Sequence, residues 1–185
     1  MEQPIIRLSR PNDINTLGTL DLKSYAYPLT MDNWRSLVNG SGKKCEPRVV
    51  LLEVFRKPVG FAMWIRDEEN MGKVFLLRVG VIPGQRNRGL GTLLVNQCLH
   101  DCSRENEKLQ DKLLSNVAFA KNENREPIRE IHIAVPDIHC IPDDPDNVVG
   151  FLNNSDFRPN GDIISKAKIM YGSPVDAYIF VRSLP

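Results

Sequence analysis

The segment VFLLRVGVIPGQRNRGLGTLLVNQCLHDC, residues 74–102, constrains the fold more than any other part of the chain. VFLLRVGVI is a run of strand formers, a basic, glycine-punctuated turn follows, and Leu90, Leu94, Cys98 and Cys102 then fall at i+4 steps with Val95 and Leu99 alongside. That pattern reads as a strand passing through a tight turn into an amphipathic helix that faces a sheet. A helix N-terminus reached in this way has unpaired N–H groups and a partial positive charge, which suits a pyrophosphate. Gly89 and Gly91 permit close approach because neither carries a Cβ, and Arg86 and Arg88 add fixed positive charge. The turn lacks the lysine and Ser/Thr pair of a Walker A loop and opens no βαβ unit, so a nucleoside triphosphate or a dinucleotide is disfavoured.

The elements around this motif follow from the same periodicities. Ile5, Ile6 and Leu8 form a short opening strand, after which Asn12 or Asp13 caps a helix through Tyr25. Tyr27 and Pro28 break it, and Thr30 or Asp32 starts a second helix carrying Trp34 and Leu37. From Val49 to Ile82 the runs VVLLEVF, VGFAMWI and KVFLLRVGVI are joined by turns at Arg56-Lys57-Pro58 and from Asp67 to Gly72, connections short enough for an antiparallel meander. Residues 103–130 are highly charged, with Leu109, Leu113, Leu114 and Val117 at helical spacing, and either lengthen the preceding helix or form another. IHIAV at 131–135 is a strand, PDIHCIPDDPD a loop, Asn147 to Asn154 a short helix, and strands near Ile163 and at DAYIFV close the chain. The expected architecture is α/β, with helices flanking one mixed, mostly antiparallel sheet.

Composition narrows the function mainly by exclusion. With 185 residues and 42% hydrophobic content the chain can bury one substantial core, so residues 1–185 are expected to form a single domain with a charged insertion around 103–130. A balance of 24 basic against 23 acidic residues argues against a nucleic-acid partner. Cys45, Cys98, Cys102 and Cys140 form no CxxC pair or zinc-spaced cluster, so no metal is expected and the thiols read as reduced. The opening residues MEQPIIRLSRPND carry no targeting pattern, and no apolar run reaches membrane-spanning length, which leads to the expectation of a cytoplasmic protein without a membrane partner.

Arg86-Asn87-Arg88-Gly89-Leu90-Gly91 resembles the Arg/Gln-x-x-Gly-x-Gly/Ala signature of the GNAT acetyltransferases, and the likeness extends over most of residues 49–102. The resemblance implies acetyl-CoA as co-substrate. Its pyrophosphate would lie on Arg86, Asn87, Arg88, Gly89, Leu90, Gly91 and Thr92, and its pantetheine arm along the strand at Val79 and Val81, where that strand splays from the one at 131–135. YAYPLTMDNW at 25–34 is similar to the segment between the first two helices of protein N-terminal acetyltransferases. MYGSPVDAY at 170–178 resembles their tyrosine-bearing hairpin. By that likeness Tyr27, Pro28, Leu29 and Tyr171 line the acceptor site, with Tyr171 also bonding the incoming peptide.

Acetyl transfer needs an amine freed of its proton and an acid for the leaving thiolate. The chain departs here from many members of the family. Leu77 and Arg78 stand where a strand carboxylate is common, Phe75 where some relatives carry a tyrosine, and Leu152 where a tyrosine commonly protonates the thiolate. His132 in IHIAV is similar in strand position to a histidine used as base, through ordered water, in some N-terminal acetyltransferases, and that resemblance makes it the candidate base; a structural strand histidine is the competing reading. Asp137, His139, Asp143 and Asp144 are further polar candidates, and a His139–Cys140 nucleophile ranks low. The acceptor is expected to be a primary amine, foremost the α-amino group of a protein or peptide. A small amine or a lysine side chain is the first alternative, a non-catalytic acyl-CoA-binding module the second. The protein is expected as a monomer or homodimer.

Overall fold

A computed structural model of the chain describes residues 3–25, 28–39, 46–115, 126–136, 147–164 and 176–184. Tyr27 and Tyr171, with Asp137, His139, Cys140, Asp143 and Asp144, lie outside the described residues. The elements are β1 (Ile5–Leu8), α1 (Ile14–Ser24), α2 (Met31–Asn39), β2 (Arg48–Val54), β3 (Lys57–Arg66), β4 (Lys73–Val81), α3 (Leu90–Ser115), β5 (Glu130–Pro136), α4 (Val148–Asn154), β6 (Arg158–Ile164) and β7 (Ala177–Ser183). They build one sheet in the order β1-β2-β3-β4-β5-β7-β6. Every neighbouring pair is antiparallel except β4–β5, which is parallel. No helix among the described residues is long and apolar enough to cross a membrane.

Strands β2 and β3 read as unbroken apolar runs because helices cover both of their faces. On one face Val50, Leu52, Ala62, Trp64, Val74 and Leu76 pack on Leu94, Val95, Cys98 and Cys102 of α3 and on Leu152 of α4. On the other, Val49, Leu51, Phe61 and Met63 meet Leu17 and Leu20 of α1 and Trp34 of α2. The i+4 series on α3 is therefore its buried stripe, as its spacing predicts. Residues 103–115 lengthen that helix. Arg66 fastens the extension, donating through Nη1 to Glu105 at 2.5 Å and through Nε to the Met71 carbonyl at 2.6 Å. The Asn106 amide then mimics a strand partner, donating to the Ile128 carbonyl at 2.8 Å and accepting the Ile128 N–H at 2.7 Å, which brings the chain back into β5.

Two local details differ from the sequence reading, and a third selects between its alternatives. The β2–β3 turn falls at Phe55 and Arg56, both in the left-handed region (φ 51° and 59°), with Val54 and Lys57 already paired. Pro58 is thus a strand residue, tolerated at a register shift between Leu52 and Glu53 where its missing N–H breaks no ladder. Asp13 makes no side-chain cap to α1; its carboxylate accepts instead from the Arg10 N–H at 2.7 Å and from the Arg7 guanidinium at 2.7 and 2.9 Å. At α2 the cap is Thr30, whose hydroxyl accepts the Asn33 N–H at 3.2 Å.

The feature that positions the site is a bulge in β4. Met63 pairs with Arg78 and Trp64 with Leu76, leaving Leu77 as an extra residue. Before it Val74 and Leu76 face α3; after it Val79 and Val81 do, while Arg78 turns to α1. Strict alternation across 74–81 therefore fails at Leu77. Just before the bulge β4 and β5 part, since their pairing runs only from Lys73–Glu130 to Phe75–His132 although both strands continue.

Candidate active site

Where β5 departs, β4 presents an edge that another extended chain can pair with. The Ile82 N–H donates to the Val59 carbonyl of β3 at 3.0 Å, so by alternation the backbone groups of Val79 and Val81 point away from β3, toward the splay. Two side chains meet them. The Tyr25 hydroxyl accepts the Val79 N–H at 2.9 Å and donates to the Val79 carbonyl at 2.8 Å. Arg86 Nε donates to the Val81 carbonyl at 3.0 Å and Nη2 to the Ser24 carbonyl at 3.3 Å. Gly80 lets the end of α1 lie this close: a Cβ there would fall 2.6 Å from the Phe61 ring and 3.1 Å from Ser24 Cβ.

Beyond Val81 the chain makes a tight turn over Pro83–Gln85, then passes through Asn87 (φ 60°) and Gly89 (φ 74°), both left-handed, into α3. Asn87, Arg88 and Gly89 are exposed, and among the described residues no atom beyond its immediate chain neighbours lies within 4 Å of where a Gly89 Cβ would stand. Arg88 donates to Gln85 Oε1 at 2.6 Å. Leu90 turns its side chain into the core, so at the helix start it offers only its backbone, as does Gly91, whose missing Cβ would stand 3.1 Å from the Phe151 ring of α4. Thr92 is half-buried in the first turn. Leading N–H groups of a helix lack intrahelical acceptors, and here they open onto this glycine turn.

Sequence reasoning passed over the network that braces the splay from the α1 side. Asp21 and Arg78, 0% and 4% exposed, form an ion pair with Nη1 and Oδ1 2.5 Å apart. Asp21 Oδ2 also accepts the Leu29 N–H at 2.7 Å and Trp34 Nε1–H at 3.3 Å. The Arg78 guanidinium lies 4.6 Å from the centre of the Tyr25 ring. Burial pushes the Asp21 carboxyl above the ordinary aspartate range, against the downward pull of Arg78 and the two N–H donors. Burial likewise pushes the Tyr25 phenol up to about 12, Arg78 opposing, even though part of the residue surface remains accessible. The hydroxyl therefore keeps its proton at neutral pH. The legible signal was one acid inside LGTLDL and one base inside FLLRVGV: opposite charges in apolar runs must find each other.

His132 occupies the last paired rung before the splay, 6% exposed, with its ring edge-on to Phe75 at 5.7 Å between centroids. Its Nε2 lies 2.8 Å from Glu130 Oε2. Leu152 is fully buried in the core beneath α3. Pro28 is exposed, and Leu29 is half-buried against the α1–α2 core.

The sequence matches the acetyltransferase (GNAT) family over residues 20–125, more than half of the chain. It matches no curated protein. In structure it is similar to Ard1 from Thermoplasma volcanium (TM-score 0.69, 16% identity, 98% of each chain covered). It is also similar to the ribosomal-protein-S18-alanine N-acetyltransferase of Escherichia coli (TM-score 0.67, 13% identity, covering 98% of this chain and 94% of that one). A third similar structure is Arabidopsis thaliana NAA60 in complex with acetyl-CoA (TM-score 0.66, 16% identity, 98% and 99% covered). At such identities the likeness speaks for the fold, while the match over residues 20–125 speaks for descent, and with the splayed β4–β5 pair leading into a glycine turn at a helix start it places the chain in the GNAT family of acetyltransferases.

Proposed function

We propose that residues 1–185 act as one acetyl-CoA-dependent N-acetyltransferase domain whose acceptor is a primary amine, the α-amino group of a protein or peptide. The observation that carries this reading is the edge of β4 at Val79 and Val81 running into an open glycine turn at the start of α3. A strand edge suits an amide-bearing arm, and a helix start suits a diphosphate. Acetyl-CoA has both, and when bound it supplies an activated acetyl thioester. Val79 and Val81 would hold the arm through backbone groups. Arg86, Asn87, Arg88, Gly89, Leu90, Gly91 and Thr92 would hold the diphosphate, Arg88 by charge and the others chiefly by backbone or local geometry.

Tyr27, Pro28, Leu29 and Tyr171 are assigned to the acceptor side. Support for a peptide acceptor comes from two similar structures, the S18-alanine acetyltransferase and Arabidopsis thaliana Naa50 in complex with the bisubstrate analogue CoA-Ac-MVNAL. His132 is assigned the amine's proton, taken directly or through water. With Nε2–H donated to Glu130, Nδ1 keeps its lone pair. A second reading, an acyl-CoA-binding module without turnover, is favoured by two observations: Leu152 is sealed in the core, and Phe75 has no hydroxyl.

The test is thiol release from acetyl-CoA with two peptide pools, one with free N-termini and no lysine, the other N-blocked with internal lysines. Release with the first pool alone is expected. Release with the second alone overturns the α-amino assignment, and acetyl-CoA binding without release on any amine leaves the binding module.

A further inference from the structure

The Tyr25 hydroxyl stands where an incoming arm would pair with β4. One phenol satisfies both the N–H and the carbonyl of Val79, at 2.9 and 2.8 Å, on the side of the strand that faces the splay. A second extended chain on that edge needs the same two groups, and an N–H aligned on one acceptor is not available to another. The ring is held from three directions, by the Arg78 guanidinium at 4.6 Å, by Phe61 at 6.4 Å between centroids and by the helix end, where the Tyr25 N–H donates to the Asp21 carbonyl at 2.9 Å. The arrangement is built rather than incidental, because Asp21 and Arg78 are sealed in the core and orient both the ring and the Leu29 amide.

We propose that Tyr25 is a latch on the acyl-donor site, its hydroxyl filling the strand edge at Val79 until the amide-bearing arm of an acyl-pantetheine thioester displaces it. Displacement exchanges hydrogen bonds one for one at Val79, so neither its N–H nor its carbonyl is orphaned. Tyr25 is also the residue on which α1 ends. Release of its hydroxyl therefore loosens the end of α1 as the donor arrives. The inference rests on the acyl-CoA reading of the same strand edge.

The experiment compares wild type with Tyr25→Phe, which keeps the ring and removes the hydroxyl, by calorimetric titration with acetyl-CoA and by amide hydrogen exchange at Val79 without it. The latch requires two results together: the variant binds acetyl-CoA about 3–10-fold more tightly, the scale of one or two net hydrogen bonds, and its Val79 amide exchanges faster. Unchanged or weaker binding overturns the latch while leaving the acyl-CoA reading in place, as does tighter binding without faster exchange. Failure of acetyl-CoA to bind either protein overturns the acyl-CoA reading and the latch with it. In wild type, whatever the variant's stability, saturating acetyl-CoA should shift the Tyr25 ring resonances away from their position over Arg78. Resonances that stay in place at saturation overturn the latch.

Discussion

Removing either partner of the Asp21–Arg78 pair should destabilise the protein far more than removing both charges. Each ion is sealed from water, and a buried charge stripped of its partner costs about 3–5 kcal/mol. Arg78→Met leaves the Asp21 carboxylate with its Leu29 and Trp34 donors, so its cost belongs at the lower end, about 3 kcal/mol. Asp21→Asn leaves a guanidinium facing an amide and belongs at the same level or above. The double variant Asp21→Asn/Arg78→Met buries no charge and keeps an amide oxygen at the Oδ2 position for both N–H donors. Its residual cost is the amide NH2 left without a partner at the Oδ1 position and the lost contact with the Tyr25 ring, about 1–2 kcal/mol. Denaturant unfolding of the four proteins should thus give a coupling energy of about 4 kcal/mol or more. The pH dependence separates the two singles. Asp21 is already raised by burial, and loss of Arg78 raises it further, so folded Arg78→Met holds a proton that the unfolded chain releases. Protons bound by the folded state exceed those bound by the unfolded, so stability falls as pH rises through the folded pKa and recovers toward the unfolded value, by up to about 1.4 kcal/mol per pH unit. Asp21→Asn has no such slope, because the guanidinium stays charged throughout. Singles costing under about 1 kcal/mol, or a double equal to their sum, would refute a buried pair held by mutual need.

The other variants test the donor turn and the candidate base. Gly89→Val should cost about 1–2 kcal/mol for a side chain at a left-handed position, keep its circular dichroism, and lose acetyl-CoA binding tenfold or more; unchanged affinity removes the turn from the donor site. Gly91→Ala sets helix propensity, about +0.8–1 kcal/mol, against a contact of 3.1 Å with a Phe151 ring that is only half-buried and can yield, so its melting temperature should stay within a few degrees of wild type. His132→Ala should keep its acetyl-CoA affinity and lose about a hundredfold in turnover; a full rate from pH 6 to 9 would assign the base elsewhere.

The legibility of this chain divides according to whether a feature is written in local chemistry or in long-range meeting. The strand–turn–helix at 74–102 was legible because a backbone cradle has to be spelled in glycines and the helix stripe in i+4 apolar residues. The hairpin at Phe55-Arg56 was misplaced because a turn with two left-handed residues usually shows Gly, Asn or Asp, and a phenylalanine and an arginine carry no such mark. The bulge at Leu77 had no sequence mark either, and it decides the site. Without it, alternation would keep Arg78 on the same face as Leu76, toward α3, where its charge would meet an apolar layer of Leu94, Cys98 and Cys102. One extra residue turns that guanidinium to the carboxylate of α1 and turns Val79 and Val81 toward α3, just past the last β4–β5 rung at Phe75–His132. The ion pair and the Tyr25 hydroxyl on Val79 both depend on the facing that this insertion sets. Deleting Leu77 would make Leu76 and Arg78 consecutive opposite Trp64 and Met63 and so leave Arg78 on the α1 face; the Asp21–Arg78 coupling energy read by denaturant unfolding should therefore survive the deletion, and its loss would refute this account of the bulge.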